Sequence, residues 1–128
     1  MNTGLNTMDG IHLIADLYDC QCPLPLIETL TTLEPCMVTA AKDADMQVVG
    51  VRFHQFQPVG VTGVVLLAES HVAVHTWPER AYVTLDVYVC NHTGDNQSKA
   101  ECLFEALIQL FNPKHAERVQ VKRGSRFV

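Results

Sequence analysis

Between Phe56 and Cys90 the sequence collects residue types capable of nucleophilic and acid–base chemistry: Glu69, Ser70, His71, His75, Glu79 and Cys90. Two apolar, β-rich runs meet at Ala68-Glu69-Ser70-His71, where polar groups interrupt an otherwise buried pattern. The run after this point alternates, with Val72, Val74 and Thr76 pointing one way and His71, Ala73, His75 and Trp77 the other. Past a turn at Pro78-Glu79, Tyr82, Thr84, Asp86, Tyr88 and Cys90 share one face, and Val83, Leu85, Val87 and Val89 share the opposite one. The pattern predicts two antiparallel strands, each with an apolar face and a face crowded with reactive groups. A serine, a histidine and a cysteine gathered on such a face mark a site rather than a scaffold.

The rest of the chain supplies elements to hold those strands. Residues 1–9 read as a loose polar leader, and Ile11 to Cys20 as a first strand with Leu13, Ala15 and Leu17 opposite His12, Ile14, Asp16 and Tyr18. Pro23 and Pro25 suit the opening of a helix, where a missing N–H costs little. Leu26, Leu30, Leu33, Met37 and Ala41 form one helical stripe, with a kink or break expected at Pro35. Lys42 to Asp45 reads as the turn out of it. Met46 to Gln57 alternates as a strand, Pro58-Val59-Gly60 turns, and Val61 to Ala68 forms the next strand. After a polar loop at Asn91 to Asn96, Ser98 and Glu101 have capping-box spacing for a helix through Phe111. Its stripe is Ala100, Leu103, Phe104, Leu107, Ile108 and Phe111, and Asn112-Pro113 ends it. Arg118 to Lys122 reads as a short edge strand. The order β-α-β-β-β-β-α-β predicts one α+β domain over residues 1–128, with helices on one face of a mainly antiparallel sheet.

Composition narrows the function classes. The 128 residues suffice for one core, and the formal charge of −5, with no basic stripe, argues against nucleic acid. No apolar run reaches the length of a membrane span and no signal segment opens the chain, so a cytoplasmic location with no membrane partner is expected. Five cysteines, at 20, 22, 36, 90 and 102, are an odd number without framework spacing and suggest free thiols. Cys20-Gln21-Cys22 lacks the second pair a zinc site needs, so no metal is expected.

The run Glu69-Ser70-His71-Val72-Ala73-Val74-His75-Thr76-Trp77-Pro78-Glu79 resembles the ESH-x-x-x-HTWPE segment of the prokaryotic, pyruvoyl-dependent S-adenosylmethionine decarboxylases. The likeness extends upstream through His54-Gln55-Phe56 and Gly60-Val61-Thr62-Gly63, and downstream to Cys90. It implies a self-cleaving proenzyme, split between Glu69 and Ser70, and a dimer of αββα kind. Decarboxylating an amino acid leaves charge on the α-carbon, which an electrophilic carbonyl can accept through a Schiff base. No reliable pyridoxal signal is present, and the resemblance makes Ser70 the source of that carbonyl, as a covalent pyruvoyl group.

By the same resemblance, Thr62 and His75 assist the cleavage, Cys90 returns a proton to the α-carbon, Glu79 holds the ribose diol and Phe56 stacks on adenine. Thr62 stands where serine is expected, which implies an altered rate rather than lost processing. Taken alone, each has a plainer reading: Thr62 a strand residue, His75 a buried hydrogen-bonded histidine, Cys90 an inert thiol, Glu79 a solvated turn residue and Phe56 core packing. His71 receives no role, and His54 reads as structural. Ala81 stands where glycine is expected, and Cys20 to Pro25 replaces a more charged segment. Both lie at the margin of the site and bear on substrate choice. The functions implied are S-adenosylmethionine decarboxylation feeding spermidine synthesis, the same chemistry on ornithine or arginine, or an unprocessed regulatory homologue. In the family the sites lie between subunits, so Thr62 and His75 are expected to serve a neighbour's pyruvoyl group.

Overall fold

The structure, a computed structural model, describes residues 8–92 and 94–127. Its strands are β1 (Gly10–Cys20), β2 (Val48–Gln55), β3 (Val61–Leu67), β4 (Ser70–Trp77), β5 (Tyr82–Cys90) and β6 (Pro113–Arg123). They form one antiparallel sheet in the order β2-β3-β4-β5-β1-β6. The helices are α1 (Leu24–Glu28), α2 (Leu30–Asp43) and α3 (Gln97–Phe111), with single 3₁₀ turns at Pro78–Arg80 and Ser125–Phe127. This is the predicted α+β architecture, a sheet with helices on one face.

The alternation read from β4 and β5 is the alternation observed. Val72, Val74, Thr76, Val83, Leu85, Val87 and Val89 are buried toward the helices, together with Ile11, Leu13, Ala15 and Leu17 of β1. Leu33, Met37 and Ala41 of α2, and all six stripe residues of α3, close the same core. Each large apolar side chain removed from water contributes roughly 1.5–3 kcal/mol. Thr76 is buried without penalty: its hydroxyl donates to Ile27 O at 2.7 Å and accepts from Val61 N at 2.9 Å.

Four boundaries differ from expectation. The helical stripe does break, but at Thr29 rather than Pro35. Thr29 is extended (φ −128°, ψ 135°), and α2 runs uninterrupted through Pro35. Pro35 and Thr31, whose carbonyl loses a partner, both lie on the exposed side, so water can replace the bond. Ser98 is not a cap, because α3 already begins at Gln97, and the N-cap Asn96 makes no side-chain cap bond. Gln97 instead uses Asp95 Oδ1 (3.2 Å) and Glu101 Oε2 (3.4 Å). The last strand is longer than Arg118 to Lys122, since β6 pairs with β1 along its whole length from Cys20–Pro113 to Gly10–Arg123. Of the expected leader, residues 1–7 lie outside the described residues, while Asp9 O is bound by Asn91 N at 2.9 Å.

At the β2 edge, the alternation of Met46 to Gln57 puts Val49, Val51 and Phe53 in one row, but Val49 and Val51 stay 57% and 39% exposed and only Phe53 is buried. A register shift between Val48 and Gly50 interrupts the alternation at Val49, and β2 is an edge strand of the sheet. Phe53 lies over its partner Gly63, where even a β-carbon would collide with the ring.

Candidate active site

Thr62 and His75 are opposite each other on β3 and β4, and Thr62 Oγ1 lies 2.9 Å from His75 Nδ1. The bond orients the ring, and because a hydroxyl can donate or accept, it supports either imidazole tautomer. His75 is exposed on the sheet face away from the helices, which removes the plainer reading of a buried structural histidine. A pocket of about 260 Å³ opens beside the pair, lined by Phe56, Gly60, Thr62, His75, Trp77 and Glu79 among others.

The walls of this pocket are held by residues far apart in sequence. Gln55 is the centre of the arrangement: its Oε1 accepts from Leu30 N (2.6 Å), and its Nε2 reaches Glu28 O (2.8 Å), Phe56 O (2.9 Å) and Gly60 O (3.0 Å). It ties the break between α1 and α2 to the β2–β3 turn that carries Phe56. Gly60 completes that turn at φ +116°, accepting from Phe56 N and donating to Glu28 O. Phe56 is 47% exposed, with His54 edge-on at 4.7 Å, so it is a rim aromatic and not core packing. His54 is exposed as well and braces Phe56 rather than the core. Glu79 is exposed on the 3₁₀ turn after β4. Ala81, which follows that turn, has left-handed backbone (φ 48°, ψ 42°), a conformation that favours glycine.

The other end of β4 holds the Glu69-Ser70 bond, within a two-residue connection between Leu67 and Ser70. Ser70 pairs with the buried Leu67 and so belongs to the helix side of the sheet. The expected gathering of Ser70 with the histidine and cysteine on one face is therefore not found. Ser70 faces a second, polar pocket of about 170 Å³ lined by Asp45, Gln47, Glu69, Asn96 and Lys99. Cys90 ends β5 at this same end of the sheet: Tyr88 is opposite His71, and the same register carried on brings Cys90 opposite Glu69. Cys90 is half-buried, and its carbonyl accepts from Asn96 Nδ2 at 2.8 Å. Ser70 and Cys90 thus share one end, while Thr62, His75, Phe56 and Glu79 share the other.

Between the two ends the exposed sheet face carries the polar and aromatic groups that the alternation of β4 and β5 predicts. His12 Nε2 is 3.2 Å from Asp86 Oδ2, and His71 lies against Tyr88 at 5.7 Å and His12 at 6.4 Å. Burial holds the His71 imidazole below the ordinary histidine pKa; the charge of His12 adds to this and Asp86 opposes it. Tyr18 stacks on Tyr82, and Tyr82 and Trp77 continue as a row of tilted rings toward His75. Cys20 and Cys22 lie elsewhere, in the core. Burial, then Cys22 and Asp19, push the Cys20 thiol up to about 12, an inert state. Among the described residues, no group of three or more His, Cys, Asp or Glu could hold a metal ion. A cavity of about 430 Å³ between α2 and α3 holds none of the predicted site residues.

Residues 11–124 match the family model for S-adenosylmethionine decarboxylase. The chain is 38% identical over 117 residues to the S-adenosylmethionine decarboxylase proenzyme of Picrophilus torridus, covering 91% of this chain and 85% of that one. It is 40% identical over 115 residues to the proenzyme of the same name from Aquifex aeolicus, covering 90% and 81%. The crystal structure of the Aquifex aeolicus adenosylmethionine decarboxylase superposes with a TM-score of 0.81 at 38% identity, over 93% of this chain and 92% of that one.

Proposed function

The chain belongs to the S-adenosylmethionine decarboxylase family, and we propose that it is a proenzyme that cleaves itself between Glu69 and Ser70 and then decarboxylates S-adenosylmethionine. The observation that carries this reading is the Thr62–His75 hydrogen bond of 2.9 Å, set in a pocket that also presents Phe56 and Glu79.

Self-cleavage begins with Ser70 Oγ attacking the Glu69 carbonyl. The peptide C–N bond breaks, leaving an ester and a free amine at residue 70. A base then removes the α-proton of residue 70, the Cβ–O bond breaks, and Glu69 departs as a carboxylate. The resulting dehydroalanine tautomerises to an imine and hydrolyses, releasing ammonia and leaving a pyruvoyl group. His75, held by Thr62, is the base in this reading. It does not reach the Glu69-Ser70 bond of its own chain, because five strand residues span roughly 17 Å. A second copy, stacked with its exposed sheet face on this one and its β4 reversed, supplies it. The histidine- and aromatic-rich face between the two ends suits such a homodimer, an αββα arrangement.

The residues present fit a pyruvoyl group: residue 70 opens β4 at the mouth of a pocket and is only part-buried. That group would supply the electron sink for the bond to the departing carboxylate. The chain's own residues do the rest. Phe56, projecting from the pocket rim, offers a face for adenine. Glu79 has two oxygens for the ribose diol. Cys90, at the Ser70 end of the sheet, returns the proton to the α-carbon. The decarboxylated product is the aminopropyl donor from which spermidine is made.

The test is the intact mass of the freshly purified protein under denaturing conditions, followed by carbon dioxide release from S-adenosylmethionine. Two masses corresponding to residues 1–69 and to a pyruvoyl-headed 70–128 are expected, with carbon dioxide released. A single full-length mass after prolonged incubation would overturn the reading, and cleaved protein active only on ornithine or arginine would overturn the substrate.

A further inference from the structure

The pocket at the Glu69-Ser70 turn contains one cationic side chain, Lys99, alongside the carboxylates of Glu69 and Asp45. Lys99 Nζ is 3.5 Å from Asp45 Oδ2, in a pair whose side chains are 38% and 91% exposed. A pair this loose and hydrated is held weakly, so the ammonium can change partners at little cost. Cleavage of the adjacent bond creates a third carboxylate in the same small space, at the α-carbon of Glu69. No other side chain lining the pocket offers a positive charge to it.

We propose that Lys99 receives this carboxylate as it leaves. The inference rests on the self-cleavage argued above and assigns a residue to its second half. When the α-proton of residue 70 passes to His75 of the partner subunit, the electron pair of that C–H bond forms the Cα–Cβ double bond. The Cβ–O bond breaks, and its pair stays on the Glu69 carboxyl oxygen. Negative charge thus develops on an oxygen that Lys99 can reach by giving up Asp45. A cation positioned where charge develops lowers the barrier of that step, and it leaves the earlier attack by Ser70 Oγ largely unchanged.

The two halves can be told apart because the ester between them reacts with hydroxylamine, which leaves a hydroxamate on Glu69 and an intact serine at position 70. The full chain, made in a cell-free reaction, is followed by intact mass in the wild type, Lys99→Gln and Lys99→Arg, with and without hydroxylamine. Lys99→Gln is expected to slow cleavage about tenfold, the usual scale for losing one charged hydrogen bond. The ester should accumulate as hydroxamate-terminated fragment, and Lys99→Arg should restore the rate. Cleavage of Lys99→Gln at the wild-type rate overturns the proposal. So does slow cleavage without trapped ester, or a Lys99→Arg chain as slow as Lys99→Gln. A wild-type chain that never cleaves instead overturns the self-cleavage reading itself, which separates the two failures.

Discussion

Ser70 and His75 lie on the same strand but on opposite faces of it, Ser70 paired with Leu67 on the helix side and His75 with Thr62 on the exposed side. Strand rise alone puts them about 17 Å apart. A reaction that needs both must draw them from two chains, and the consequence can be measured.

Chains carrying Ser70→Ala and chains carrying His75→Ala should each fail to cleave alone. When they are expressed together, the Ser70→Ala chain should lend its His75 to the Ser70 of the other in the proposed dimer. Mass spectrometry should then find fragments of the His75→Ala chain only. No fragments in the mixture would mean that His75 acts within its own chain or not at all.

Thr62→Val keeps the β-branched shape and removes the hydroxyl bound to His75 Nδ1. The ring loses its fixed orientation, and cleavage should slow about tenfold or more, within the range a positioned proton-transfer group supplies. Thr62→Ser should cleave at least as fast as wild type. Time courses of intact mass measure both, and unchanged cleavage in Thr62→Val would remove Thr62 from the reaction.

His71 is held neutral in the fold, chiefly by burial and then by His12, with Asp86 pulling the other way. A histidine whose folded pKa lies below its unfolded value binds protons more readily when unfolded. Its contribution to stability is therefore intact above about pH 6.5 and is lost as pH falls below it. Urea midpoints should drop between pH 7.5 and pH 5 by more in the wild type than in His71→Asn.

Ala81 carries a left-handed backbone between β4 and β5, a conformation that costs a residue with a β-carbon roughly 1–2 kcal/mol. Ala81→Gly removes that cost and adds some chain entropy to the unfolded state, so a net gain of about 0.5–1 kcal/mol is expected. Thermal and urea unfolding provide the measurement. Lower stability would mean that the methyl group makes packing contacts worth more than the conformation costs.

Ala81 also shows what the sequence could reveal about the site and what it could not. Glycine is expected there from the family pattern, but only the dihedral angles give the physical reason. The faces of β4 and β5 were legible because each strand has one buried side, so a one-residue shift would expose every valine. The stripe of α3 was legible for the same reason. The helix break was not, because Thr29 is extended in a segment clamped by Gln55, twenty-six residues later, and no local propensity encodes that bond. β6 is exposed along most of its length, so no apolar period marked its true extent. Phe56, Thr62, His75 and Glu79 were recognisable by resemblance, and the structure brings them to one pocket. That Ser70 belongs to the opposite face and the opposite end follows from strand register, which residue types alone do not convey.

The strand order carries a last consequence. Residues up to 69 contribute β1, β2 and β3, and residues from 70 contribute β4, β5 and β6. β1 is not beside its sequence neighbours; it is inserted between β5 and β6, hydrogen-bonded to both. A chain severed after Glu69 is therefore two interlaced pieces, like the fingers of clasped hands. Neither can slide free without stripping β1 from both neighbours, and the loss of one covalent bond leaves the sheet whole.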